Sequence, residues 1–452
     1  MSFYRLTPLP SRHRSNWLTM LGICCAMAGA FIGWRANAQT IAITGGTVAI
    51  GDGSQPIPNG VVVIRDGRIV AAGAGVTAPA GATIVDAAGK WVAAGMVAGF
   101  TDLGLVDANG VQESNDESAR TSPFAAAIDV ALAINPRANT IGNERAGGIT
   151  RALVSPGTAG SIFAGQGAVI DLGADADAVT RPRAFQYVEL GEDGARVAGG
   201  SRPAAYAMFR DALAQALDYR RDPKSFDGRH KDSLMKRGDA EALLRVLDGV
   251  VPLAVHVERA SDILAVLTLP RDYPKLKLVL IGVSEGWMVA REIAAARVPV
   301  IAAALADLPS SFEAIAATES NVGRMTEAGV MTAISTVGAN TAPGEHILKQ
   351  YAGNLVAIGK MPGATGLSWG QAFATITSKP AAALGMDDDI GSLRPGRRAD
   401  VVVWDGDPLE LSSTPVAVYI DGRPQPIRSR QTELRDRYLT PAEGALPKAY
   451  QR

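Results

Sequence analysis

The sequence predicts an α/β protein: a TIM-like (β/α)8 barrel with a small β-sandwich built from both ends of the chain. Three observations carry this expectation. Strand-like and helix-like segments alternate from about residue 96 to residue 384, as a parallel barrel requires. Two β-rich blocks, 39–95 and 390–428, lie on either side of that stretch, so both termini are available to one small domain. The length, 452 residues, suits one large barrel plus a smaller domain.

The first 38 residues read as a targeting segment. Arg5, Arg12, His13 and Arg14 form a basic start, Trp17 to Trp34 is uncharged and mostly apolar, and Ala36-Asn37-Ala38 offers the small residues a signal peptidase reads. The expectation is cleavage before Gln39 and an exported, periplasmic or extracellular protein. A retained membrane anchor is the rival reading, because the apolar run nearly spans a bilayer. A lipoprotein fits less well, because bulky Ile23 precedes Cys24. Both cysteines, Cys24 and Cys25, fall in this segment, so the mature chain has no thiol chemistry. Its loss leaves 40 basic against 45 acidic side chains, a balance of −5. With no basic stripe, nucleic acid is not an expected partner.

From 39 to 95 the chain reads as short strands. Val61–Ile64 and Arg68–Val70 flank Asp66-Gly67, a hairpin signal. The expected barrel, 96–389, has eight strands: Met96–Leu103, Ile149–Ser155, Ala168–Leu172, Phe185–Leu190, Leu253–Val257, Leu276–Ile281, Val298–Ala303 and Val330–Thr336. Helical character is strong in Tyr206–Arg221, Asp239–Asp248, Trp287–Ala296 and Ser368–Leu384. Gly157 to Gly167 is too short and too glycine-rich for a crossover helix, so the barrel is expected to be distorted there or the third strand misplaced. Asp400–Trp404 and Val416–Ile420, the latter leading into Asp421-Gly422, close the sandwich. The polar tail, 429–452, is expected to wrap the surface or stay mobile.

Several stretches carry a family resemblance. Gly89-Lys90-Trp91-Val92-Ala93-Ala94-Gly95-Met96-Val97-Ala98-Gly99-Phe100-Thr101-Asp102-Leu103 resembles the first barrel strand of the amidohydrolase superfamily. Ile376 to Gly385 and Ile390 to Trp404 resemble that superfamily's T-x-N-P-A-x-x-L-G and I-G-S-I-x-P-G-K-x-A-D-L-V segments, and Val416 to Gly422 resembles its closing strand. The resemblance spans nearly all of 40–425. Gly165-Gln166-Gly167-Ala168 and Val255 to Ile263 place the chain nearest the exported imidazolonepropionase-like members.

The resemblance implies a metal-activated water and hydrolysis of carbon–nitrogen bonds other than peptide bonds. Such a site takes two His from strand one, a Lys or Glu from strand four, one His each from strands five and six, and an Asp from strand eight. Here the strand-one positions are Phe100 and Asp102, strand six ends Ile281-Gly282-Val283, and strand eight ends Ser335-Thr336. The candidate ligands that remain are Asp102, Glu189 and His256, enough for one divalent metal, Zn first among them. A polar barrel mouth with a hydrogen-bonded His256 and no metal is the alternative.

Outside that set, Arg202 is a candidate anion clamp or a solvated helix-start residue. His346 is a candidate general base near the mouth or a loop histidine, and His230 lies in a charged linker. Glu258 and Arg259 read as a helix-start charge pair. Ser155 to Ser161 lacks the G-K-[ST] ending of a nucleotide-binding loop; it reads as a backbone-amide cradle for a carboxylate or as an ordinary flexible loop. Two functions stay open: a hydrolase with a reduced or unfamiliar site, and a non-catalytic homologue that binds a small molecule or stabilises a partner. The partner would be a second copy of this chain or an intact homologue.

Overall fold

The computed structural model describes residues 40–108, 111–226, 235–337 and 344–439. The expected targeting segment, His230 and the last part of the tail lie outside them. Among the described residues no helix is long and apolar enough to cross a membrane.

The N-terminal block folds as β1 (Ile41–Ala49), β2 (Ile57–Arg65), β3 (Arg68–Gly73), β4 (Thr83–Asp86) and β5 (Trp91–Ala94). β1 does double duty. Its first half pairs in parallel with β4 and its second half with β5, while β2 runs antiparallel along its other side. The change of partner falls at Gly45-Gly46, where the pairing with β2 also shifts register. Gly45 has φ +80°, and a Cβ on Gly46 would come within 2.9 Å of the Val92 side chain, so a bend here needs glycine. Asp66 (φ 52°) and Gly67 (φ 73°) form the tight turn between β2 and β3 with both residues left-handed.

The barrel follows as β6 (Met96–Thr101), β7 (Ile149–Val154), β8 (Phe163–Asp171), β9 (Val179–Glu189), β10 (Leu253–Val257), β11 (Leu278–Gly282), β12 (Val300–Ala303) and β13 (Thr332–Ser335). All eight predicted strands are present, neighbours in sequence being neighbours in the sheet. The anticipated distortion has a definite form. β8 runs antiparallel to both β7 and β9, because the short links on its two sides leave no room for crossover helices. The other neighbouring pairs are parallel.

β6 and β13 do not pair directly. The seam between them is filled by residues 375–376: Val97 N–H donates to the Ile376 carbonyl (2.8 Å) and Ile334 N–H to the Thr375 carbonyl (3.1 Å). This is why the helix predicted over Ser368–Leu384 is two short helices, Trp369–Ala374 and Ser378–Ala383. The residues between them spend their carbonyls on the sheet. Below the mouth the barrel is plugged by Ala381, Leu384, Met386 and Ile390, which pack among Val97, Leu153, Val169, Ile281 and Ile301.

The helix Arg202–Arg221 is capped by the Ser201 hydroxyl and carries Pro203 in its first turn, where no amide is lost. It buries Ala205, Phe209, Ala212, Leu213 and Ala216 against the barrel. The chain then returns to the N-terminal sheet as β14 (Val401–Trp404), β15 (Pro415–Ile420) and β16 (Arg423–Gln425), with β14 antiparallel to β5. The fold is thus the TIM-like barrel plus two-ended β-sandwich expected from sequence. Part of the tail, Arg430–Leu439, is helical.

Arg151 ties barrel to sandwich. Fully buried on β7, it is bidentate to Asp400 (2.7 and 2.9 Å), reaches Asp421 at 2.8 Å and approaches Asp171 at 3.5 Å.

Candidate functional site

The C-terminal ends of β6, β7, β9 and β13 enclose a cavity of about 360 Å³. Its walls include Asp102, Glu117, Glu189, Asp193 and Glu345, with Thr101, Thr158, Tyr187 and Thr336 as polar neighbours and, among the described residues, no Lys, Arg or His. Phe100 forms its floor. That residue holds φ +67°, unusual for a bulky side chain, and its ring meets Tyr187 edge-on at 4.8 Å and Phe185 at 6.1 Å. An aromatic cluster therefore fills the barrel interior at the strand-one position.

His256, on β10, is clamped. Nδ1 lies 2.8 Å from Glu189 Oε2, and Nε2 lies 3.0 Å from Glu258 Oε1. With an acceptor on each nitrogen, the ring is an imidazolium donating both ways. Burial opposes that charge, but Glu189 and Glu258 outweigh burial and hold the imidazole well above its usual range. Glu258 is held below the usual carboxylate range: burial pushes it up, and His256 and the Ser284 amide more than reverse this. Gly282 makes room for the pair. It has φ +86°, and a Cβ there would fall 2.3 Å from Glu258 Oε1 and 2.8 Å from His256 Nε2.

The other carboxylates behave in the opposite way. Glu345 is 4% exposed and accepts hydrogen bonds from the Thr101 and Thr336 hydroxyls at 2.9 and 3.0 Å. Burial, with Glu144 and Asp102 nearby, pushes it up to about 7. Asp102 opens onto the cavity, yet the surrounding protein raises its carboxyl. Glu117 is raised by burial and by Asp102. One end of the cavity thus holds three acids, with Asp102 repelling both Glu117 and Glu345 and Glu345 titrating near neutrality.

The remaining sequence candidates fall as follows. Arg202 is not a free anion clamp: it pairs with Asp262 (2.8 Å) and Glu313 (3.1 Å) and lies 3.6 Å from Glu192. His346 does not face the cavity; its Nδ1 lies 3.1 Å from Glu144, and its neighbour Glu345 takes the place at the mouth. Glu258 and Arg259 are not a pair: Arg259 binds Asp262 at 3.0 Å, and Glu258 turns inward to His256. Ser155 to Thr158 line the cavity, but opposite an acidic wall that disfavours a bound carboxylate. Sequence reasoning missed Glu345 and Glu117. The only signal for Glu345 was its place beside His346 after the last barrel strand.

Comparison with known proteins agrees with this architecture. The Amidohydrolase family model matches residues 224–427. Amidohydrolase tasK of Hapsidospora irregularis is 27% identical over 387 residues, 77% of this chain and 37% of that protein. The chain thus spans little more than a third of that relative's length. An amidohydrolase from Thermotoga maritima MSB8 superposes with a TM-score of 0.74 at 24% identity, covering 85% of this chain and 99% of that one. The family model, the tasK relative and the shared fold together support the amidohydrolase superfamily. Phenylurea hydrolase B also superposes, with a TM-score of 0.50 at 17% identity, covering 90% of this chain and all of that one.

Amidohydrolases usually bind divalent metal, and the described residues present no complete donor set for one. Among the described residues no three His, Cys, Asp or Glu side chains converge as a metal-binding group. Of the three sequence candidates, Glu189 and His256 meet each other, and His256 has no ring nitrogen left to offer. Asp102 shares the cavity with Glu189 and makes no side-chain contact with either. Val283, buried at φ +61°, and Phe100 occupy the ends of strands six and one with apolar groups.

Proposed function

We propose that this protein hydrolyses a non-peptide carbon–nitrogen bond in a small ligand bearing a cationic nitrogen, with carboxylates working where relatives use metal. The carrying observation is the acidic cavity: five carboxylates, no facing cation among the described residues, and a buried Glu345, raised to about 7, sharing the cavity with Asp102. The cavity field favours a positively charged ligand. Unequal proton affinities in neighbouring acids supply an acid and a base at one pH. In this reading Asp102 takes a proton from water as its oxygen attacks the acyl carbon. Glu345 gives its proton to the departing nitrogen, and acid and amine leave. The Glu189–His256–Glu258 clamp holds an imidazolium between two carboxylates behind the β9 wall, a net negative cluster with no ring nitrogen open for coordination. Action outside the cytoplasm, and association with a second copy or an intact homologue, remain part of the proposal.

The test is turnover of amine-bearing cyclic amides, ureas and N-acyl compounds by the full chain, with elemental analysis of the same preparation. Turnover should survive EDTA, fall at least about 100-fold in Glu345→Gln and Asp102→Asn, and decline as pH rises through about 7, where Glu345 loses its proton. Near-stoichiometric Zn, Fe or Mn that disappears in His256→Ala would sink the metal-free reading. Calorimetric binding without turnover would favour the non-catalytic homologue.

A further inference from the structure

A second cavity, of about 580 Å³, lies between the helix Asn139–Ala146 and the C-terminal helix Arg430–Leu439. Its charge is opposite to that of the barrel mouth. Arg137, Arg145, Arg428, Arg430 and Arg437 line it, against only Asp175 and Glu433. Arg145 is the unusual member. It is 7% exposed, and its guanidinium is held by two backbone carbonyls, Pro426 (Nε, 3.0 Å) and Leu172 (Nη1, 2.8 Å). These neutral partners orient the group and leave its charge uncompensated. Among the described residues none of the five arginines is in an ion pair with Asp or Glu. A buried cation without a counter-charge is costly, and proteins rarely retain one unless something brings the missing anion.

The geometry also preorganises the site. The helix Asn139–Ala146 begins in the cavity wall with no side-chain cap, so its first amides add positive potential there. The C-terminal helix is fixed at its start by reciprocal bonds between Ser429 and Thr432 (2.8 and 3.3 Å), which holds Arg428 and Arg430 on the rim. We infer that this cleft binds a small, multiply charged oxyanion, a phosphate-bearing ligand above all. Planar guanidinium groups match phosphate oxygens two at a time, and the enclosed volume suits a small molecule. The acidic mouth excludes the same ligand, so the two cavities select opposite charges.

Inorganic pyrophosphate titrated into the full chain at low ionic strength is the probe, read by calorimetry. Saturable binding is expected, weakening steeply with added salt and at least tenfold in the double variant Arg428→Gln/Arg430→Gln. Both changes are on the exposed rim, so that variant should keep its fold, checked by circular dichroism. Arg145→Gln should abolish binding if it folds. Equal affinity in the rim variant and the parent, or no binding at low salt, would overturn the inference. So would co-sedimentation with phosphatidylglycerol vesicles without binding of free pyrophosphate, which would mark a lipid-facing basic surface instead.

Discussion

At the scale of single residues, the site divides its acids into two kinds. Glu258 is held below the usual carboxylate range by His256, and Glu345 is pushed up to about 7 by burial. A carboxyl raised in the folded state contributes stability that is complete below its unfolded value, near 4.5, and is lost as pH rises through about 7. Glu345→Gln keeps an acceptor for Thr101 and Thr336 and removes the titration. It should therefore match the parent in denaturation midpoint at pH 4 and exceed it at pH 8, by on the order of 1–3 kcal/mol. A variant less stable than the parent at pH 8 would show that the charged carboxylate is wanted there. Little of this was legible in the sequence. His256 and Glu189 were found because they sit at the ends of periodic strands, positions that a family pattern fixes. Glu345 sits after a loop, where no period reports which side chain turns inward. Glu258 was read as a partner of Arg259 because adjacent charges look paired in sequence. Both residues lie between the end of β10 at Val257 and the helix that starts at Ala260, where no strand or helix period fixes which way a side chain turns.

At the scale of elements, the strand count was legible because buried strands announce themselves as apolar runs bounded by turns. Their direction was not. The sequence indicated that the stretch before β8 was too short for a helix, and the antiparallel β8 is the physical outcome of that shortage. The new packing demands are local. Gly167 on β8 faces the Phe185 ring, and a Cβ there would lie 2.1 Å from it. Gly167→Ala should push Phe185 toward Phe100 and cost about 1–3 kcal/mol, read as a lower urea midpoint with an unchanged slope. An unchanged midpoint would mean that β8 is free to shift away from β9. The helix predicted over Ser368–Leu384 broke for a reason outside its own propensity: a tertiary demand for the carbonyls at Thr375 and Ile376.

At the scale of the whole molecule, one buried arginine joins the two parts. Arg151→Met would leave Asp400 and Asp421 without their shared cation, along with Asp171, whose carboxyl burial already pushes up to about 6. The expected loss is about 3–5 kcal/mol at pH 7, shrinking toward pH 5 as Asp171 takes up its proton. A loss independent of pH would assign the effect to packing alone. The seam at 375–376 bears on a different matter, the order in which the chain can become sound during synthesis. Until those residues emerge, β6 and β13 each keep a bare hydrogen-bonding edge, and an unpaired edge is an invitation to the wrong neighbour. Every barrel strand has been made by residue 335, yet the cylinder is sealed only some forty residues later. A chain stopped between those two points would hold all eight staves and no hoop.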